Sequence, residues 1–207
     1  MGNQQPSTDY RHLNEAVCNV LLGDGHYWKH PECRNAKLVW SSIHSEWVTW
    51  KMNTLLPPEL RGSVHVRDRS NDNCFPNAKP IATSCSRVHP YFTQTREWSA
   101  WEGLGLLTPR GLGSWFLDDG CAVKCKNSPS YHVYWSLGVE LSSDPDRFLH
   151  WVRSFFGASI PGSVHAAGST ASERNKAWHV PKAIAVSVMG YARDIAPASM
   201  LYKVPVW

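Results

Sequence analysis

No apolar run in this chain approaches the ~20 residues that a membrane-spanning helix needs, so no membrane partner is expected. The first residues, Met1 to Asp9, contain no apolar stretch of the kind a secretory signal requires, and no such signal is expected. Met1-Gly2 begins as a myristoylation site would, but Pro6 stands where Ser or Thr is needed. Among the six cysteines there is no Cys-x-x-Cys pair. Cys121 and Cys125 lie four apart and His26, His30 and Cys33 cluster loosely, which is not the tight paired spacing of structural zinc sites. Reduced thiols in an intracellular compartment are the expectation. Excess charge of one sign is also scarce: 21 Lys and Arg stand against 17 Asp and Glu, a net charge of +4. Residues 1–107 carry 11 against 10, and residues 108–207 carry 10 against 7. That permits nucleic-acid binding without arguing for it.

The chain does have size and aromatic bulk. Its 207 residues, 43% hydrophobic, suffice for one domain of two halves with a sizeable core. Eleven tryptophans fall mostly in segments that read as strands or helices, so core packing is their first explanation.

The most informative feature is a repeat. Val17 to Gly25 reads V-C-N-V-L-L-G-D-G, and Leu112 to Gly120 reads L-G-S-W-F-L-D-D-G. Each is an apolar segment that stops at Asp-Gly. Two half-domains would each bring one carboxylate, Asp24 and Asp119, to a shared place, and paired carboxylates at helix ends suit divalent metals.

The material after each motif follows one order. In the first half, a helix over Asn14 to Gly23 precedes strands at His26 to Lys29 and Ala36 to Ile43. A helix over Glu46 to Leu55 follows, ended by Pro57-Pro58. Ser63 to Arg69 and Ile81 to Val88 read as strands flanking a loop at Ser70 to Asn73. The first places Val64 and Val66 inward and His65, Arg67 and Arg69 on the other face. Pro90 to Glu97 reads as a short helix. In the second half, Thr108-Pro109 caps a helix that runs to Asp118 or Asp119. Strands at Cys121 to Lys126 and His132 to Leu141, a helix over Arg147 to Phe156, strands at Ser163 to Ala167 and Ala177 to Val180, and a helix over Lys182 to Ala192 complete it. The pattern predicts an α+β protein with two antiparallel sheets related by a pseudo-twofold axis. The two Asp-ended helices would meet on that axis through small residues: Cys18, Asn19 and Gly23 on one side, Gly111, Gly113 and Ser114 on the other.

With these elements in place, the chain resembles the LAGLIDADG homing endonucleases of the single-chain, pseudosymmetric, intron-encoded kind. Val17 to Gly25 and Leu112 to Gly120 fit the nine-residue motif, with Gly replacing Ala at position 23. The run from Thr108-Pro109 through Trp115-Phe116-Leu117-Asp118-Asp119-Gly120, and the ending Met200-Leu201-Tyr202-Lys203-Val204-Pro205, add to the match, which extends from about residue 12 to 205. The resemblance implies two αββαββα lobes, residues 10–107 and 108–207, whose antiparallel sheets form a DNA-binding saddle with the motif helices at the lobe interface.

It further implies cleavage of both strands of a long asymmetric DNA site. Asp24 and Asp119 would bind metal, and the carbonyls of Gly23 and Asp118 would complete the coordination. The ions would be Mg²⁺, about two or three, with Mn²⁺ as a substitute. Lys203 matches a basic residue near the active site. Its first-lobe counterpart, usually a Lys, is by spacing Arg96, a cation that does not readily relay a proton. No histidine is assigned as a base.

Arg67, Arg69, Arg87, Lys124, Lys126 and Lys176 fall in expected strands or hairpins. There they could reach phosphates or guanine edges, as could His65 and Tyr134, or simply form a solvated sheet face. Both motifs lie in one chain and Ser63 to Arg69 reads as unlike Ser163 to Ala167, so a monomer on an asymmetric site is expected. A DNA-containing compartment, an organelle or a prokaryotic or phage cytoplasm, would house it. The alternative is a related protein that binds structured RNA, an intron maturase or a ribosome-associated scaffold. Acids at both motif ends favour the enzyme, since a scaffold has no chemical need for them.

Overall fold

The computed structural model describes residues 11–29, 31–32, 36–69, 79–87, 89, 99–166 and 176–206. The first lobe begins with α1 (Arg11–Leu21), β1 (His26–Trp28) and β2 (Lys37–Ser42). Next come α2 (Ser45–Trp50), a π-helical turn over Lys51–Leu55 and a 3-10 turn at Pro58–Leu60, then β3 (Ser63–Arg67) and β4 (Ile81–Cys85). The linking helix α3 (Ala100–Gly105) leads to the second lobe: α4 (Pro109–Asp119), β5 (Gly120–Lys124), β6 (Tyr131–Ser136), α5 (Gly138–Ser142) and α6 (Pro145–Phe156). The chain then forms β7 (Ser163–Ala166), β8 (Lys176–Val180), α7 (Lys182–Ile195) and a final 3-10 segment, Ala198–Lys203. None of the described helices is long and apolar enough to cross a membrane.

The strands make two four-stranded antiparallel sheets with the same connectivity, β1-β2-β4-β3 and β5-β6-β8-β7. Alternation decides which side each residue takes. Leu38, Trp40 and Ala82 point from the first sheet into its core, as Val133, Trp135, Trp178 and Val180 do from the second. The opposite faces stay open: His26, Val39, Cys85, Ser63 and His65 in one lobe, Cys121, Tyr134, His179, Ser163 and His165 in the other. Five tryptophans, Trp40, Trp47, Trp115, Trp135 and Trp178, are almost fully buried, and in the second lobe Trp135 stacks on Trp178 at 5.8 Å. Trp47 belongs to the first lobe in sequence but packs in the second lobe's core, so the lobes share side chains.

Helix α4 lies between α1 and α7. Its Thr108 cap accepts from the Gly111 backbone N–H at 3.1 Å and also from Asn19 Nδ2 of α1 at 3.3 Å. A Cβ on Gly111 would sit 1.9 Å from Asn19 Oδ1, so glycine there lets the motif helices meet. Gly113 serves a different contact. A Cβ there would press on the backbone of Tyr191 and Ala192, so it admits α7 rather than the other motif helix.

Other expectations also change. The strand over His132 to Leu141 stops at Ser136, because Gly138 takes a left-handed backbone (φ 66) and starts α5. β5 ends at Lys124 and leaves Lys126 in a turn; β4 ends at Cys85 and leaves Arg87 beyond it. Val66 faces the core side but is 61% exposed, because β3 is an edge strand. Ser63 to Arg67 and Ser163 to Ala166 are not unlike: they hold equivalent places, and both open Ser-Val-His. The readings at Ser70 to Asn73, Pro90 to Glu97, Arg96, His30 and Cys33 lie outside the described residues.

Candidate active site

The two motif ends meet where α1 and α4 meet, but they are built differently. After α1 the chain turns through Leu22, Gly23 and Asp24 before β1. Helix α4 instead stays helical through Asp119 and passes directly into β5. At the matching motif position one side carries Gly23 and the other Asp118. The Asp118 carboxylate fills the space that Gly23 leaves: a Cβ on Gly23 would come within 2.0 Å of its Oδ2.

Asp118 is held by the first lobe. Lys51 Nζ donates to its Oδ2 at 2.5 Å and Trp47 Nε1 to its Oδ1 at 2.8 Å. The backbone N–H of Asp24 adds a longer contact at 3.2 Å. Both charged side chains of this pair are only 1% exposed. Burying charge is costly unless it is paired and hydrogen-bonded; here each oxygen of Asp118 has a donor. Its side chain is therefore committed to joining the lobes.

Asp24 and Asp119 are not neutralised in the same way. Asp24 has its pKa raised, first by burial of the carboxyl and then by the charge of Asp118, against the opposing pull of Lys51 and Lys203. Asp119 is pushed up to about 7 by burial, with Asp118 and Asp24 adding repulsion. Its carboxylate accepts one hydrogen bond, from Trp115 Nε1 at 3.2 Å. Two carboxylates at one lobe junction, Asp24 exposed and Asp119 half-buried, form a place that a divalent cation would suit, because its charge would hold both ionised.

Lys203 enters from the last 3-10 segment. Its Nζ donates to the carbonyls of Leu117 at 2.6 Å and Asp118 at 2.9 Å, so it caps the end of α4. Burial lowers its pKa, and Asp118, Asp24 and Asp119 oppose that shift. The same segment is fastened to the first lobe. Ser199 Oγ donates to Glu46 Oε2 at 3.2 Å, and the Tyr202 hydroxyl and His44 Nε2 lie 3.4 Å apart. Arg193 Nη2 donates to the carbonyls of Val204 and Pro205 at 3.0 and 2.6 Å and ties the strap back to α7.

The donor set fits a hard divalent ion in part. Two carboxylates are present, and Mg²⁺ characteristically takes one or two of these and fills its shell with water and substrate phosphate. The Asp118 carbonyl shares its lone pairs with Lys203. Among the described residues, no three His, Cys, Asp or Glu side chains gather as a metal cluster, and none of the described cysteines is in a disulfide.

The expected DNA-contacting residues scatter. Arg67 shares the open face of its sheet with His65, and Tyr134 sits on the open face of the other. Lys124 and Lys176 fall at strand ends on the parity of the buried residues, so alternation turns them away from that face. Lys126 and Arg87 are exposed just past strand ends, and Arg69 is half-buried beyond β3. Sequence reasoning missed Lys51 and Trp47. The signal was present: Lys51 is the lone charge on the stripe Trp47, Lys51, Leu55, four residues from each neighbour, on a helix face that proves buried.

No protein-family model matches the chain, and no curated protein matches its sequence. Solved structures do match its shape. The homing endonuclease I-WcaI bound to its DNA recognition sequence superposes with a TM-score of 0.67 at 14% identity, covering 94% of this chain and 86% of the other. A single-substitution form of I-DmoI, in complex with its target DNA and in the presence of 2 mM Mn, gives a TM-score of 0.50 at 8% identity over 86% and 91% of the two chains. Meganuclease I-SmaMI bound to uncleavable DNA gives 0.50 at 8% over 91% and 86%. The chain has the two-lobed fold of the LAGLIDADG homing endonucleases.

Proposed function

We propose that this protein is a site-specific, metal-dependent endonuclease that cuts both strands of a long, asymmetric DNA site, acting as a monomer. One observation carries the reading: the two motif ends pack against each other, Asp118 Oδ2 accepting from the Asp24 backbone N–H at 3.2 Å, so that Asp24 and Asp119, one from each motif, share a junction where both pKa values are raised. Such an arrangement is costly in isolation and makes chemical sense around a cation. The structural neighbours named above are captured with DNA, which agrees with it.

Asp24 and Asp119 would hold the ions, with the carbonyls of Gly23 and Asp118 nearby; Mg²⁺ when bound supplies an activated water and charge stabilisation for phosphodiester hydrolysis. The protein's own groups do the rest. Lys51 and Trp47 fix Asp118, and with it the end of α4 that carries Asp119. Lys203 places a cation beside that helix end, within reach of charge developing on a phosphate. Arg96 would be its counterpart from the first lobe. The open sheet faces are the surfaces offered to the major groove.

The test is to incubate the full chain with a randomised duplex library and Mg²⁺ and to sequence the cut ends. One recurrent double-strand cut is expected, and it should match the intronless allele of the host gene. No sequence-dependent cutting, together with tight binding to structured intron or ribosomal RNA at matched salt, would overturn the nuclease assignment.

A further inference from the structure

The lobes can be superposed by ladder register. One line of paired residues in the first sheet runs His26, Val39, Cys85, Ser63, and it starts two residues after Asp24. The equivalent line in the second runs Cys121, Tyr134, His179, Ser163, and it starts two residues after Asp119. Along these matched lines the first three places have diverged and the fourth has not.

The fourth place also keeps its partner. Ser63 Oγ and His65 Nε2 are 2.9 Å apart, and Ser163 Oγ and His165 Nε2 are 2.6 Å apart. Both pairs occupy the open face of the outermost strand, and Val64 and Val164 between them pack inward. The other matched serines, Ser41 and Ser136, do not repeat an arrangement: Ser41 bonds Thr83, whose counterpart is Ala177.

A serine engaged at Nε2 restrains the imidazole and leaves Nδ1 as the ring nitrogen on offer. With the hydroxyl donating to Nε2, Nδ1 carries the proton and becomes a donor. The major-groove edge of a base pair presents acceptors such as purine N7 and guanine O6. A restrained ring also loses less freedom on binding than a mobile one.

We propose that His65 and His165, each held by its serine, read the same base pair at two symmetry-related positions of an otherwise asymmetric target. The inference rests on the nuclease reading and adds a specific prediction about the site: one matched base pair in each half, at equal distances from the cut. The diverged positions across the sheets account for asymmetry elsewhere.

The experiment uses the full chain and its His65→Ala, His165→Ala, Ser63→Ala and Ser163→Ala forms in binding selections from randomised duplex DNA without divalent ions. Each histidine change should cost roughly tenfold in discrimination at one position. The two positions should be mirror images about the cut and prefer the same base pair, and each serine change should weaken preference at its own histidine's position. Thermal melting checks that the variants fold. Uniform loss of affinity with preferences intact would make the histidines phosphate contacts and overturn the proposal. Relaxation at unrelated positions, or toward different base pairs, would overturn it too. Failure of the unaltered chain to enrich any duplex would instead remove the nuclease reading beneath it.

Discussion

The two motif ends, Gly23-Asp24 and Asp118-Asp119, show how a repeat stops being symmetric. At the eighth motif position the lobes agree and each supplies a carboxylate, Asp24 or Asp119. One residue earlier they differ as much as residues can: a glycine on one side and, on the other, a charged side chain buried in an ion pair with Lys51. The difference is complementary, because Asp118 occupies the volume that Gly23 vacates. A symmetric dimer could not make this contact, since both copies would carry the same residue there. Joining two motifs in one chain permits a key on one side and a slot on the other.

Breaking the shared part should have the largest effect. Asp24→Asn and Asp119→Asn should each abolish double-strand cleavage while leaving DNA binding, because in the proposed function the acids hold metal and contact no base. Cleavage assays in Mg²⁺ beside binding isotherms check this, and substantial cutting by either single variant would remove the shared site.

Breaking the unshared part should cost stability. Asp118→Ala leaves Lys51 buried and unpaired, a loss of about 3–5 kcal/mol in unfolding free energy. Combining it with Lys51→Met should recover most of that loss, because the isolated charge is then gone. Gly23→Ala should destabilise by displacing Asp118 from its seat. Denaturant unfolding of these three forms and of the Lys51→Met single variant tests the comparison; an additive double variant would mean that the pair is not coupled.

How far these features are legible in the sequence differs between the two ends. The repeat, the lobes, the sheets and the two acids follow from hydrophobic pattern and Asp-Gly punctuation, which are local. Lys51 is marked in the sequence by its place on an otherwise apolar stripe, but its partner lies 67 residues away and only packing shows it. Gly113 reads as part of the motif-helix contact because composition identifies a close approach without naming the other helix. Lys124 and Lys176 read as groove-facing residues until the register fixes their parity. The Ser-Val-His match between β3 and β7 is visible in the letters, but its meaning needs the register that aligns both with the motif acids.

A smaller effect is expected at Lys203, the one described cation that touches the end of α4 from the strap. Lys203→Ala should slow cleavage by roughly 10²-fold and weaken DNA binding much less, since a cation placed for the transition state acts on rate more than on affinity. Equal losses in both would reduce Lys203 to a phosphate contact. Lys203→Arg should restore binding fully and rate in part, because guanidinium keeps the charge but changes its geometry.

A last effect singles out Asp119 by pH in the metal-free protein. Asp119 titrates at about 7 in the folded chain, against about 4 when unfolded. The folded state therefore holds its proton more tightly. The stability this provides is fully present below pH 4 and is lost as pH rises through 7. An asparagine side chain has no such proton to lose, so Asp119→Asn should melt close to the unaltered protein near pH 4 and progressively higher than it toward pH 8. Adding Mg²⁺ at pH 8 should close that gap by raising the melting temperature of the unaltered protein more than that of the variant, because the ion restores favourable surroundings to the ionised carboxylate. Parallel pH profiles for the two proteins would show that Asp119 ionises at no cost, and the electrostatic case for a cation at this end of the junction would fail.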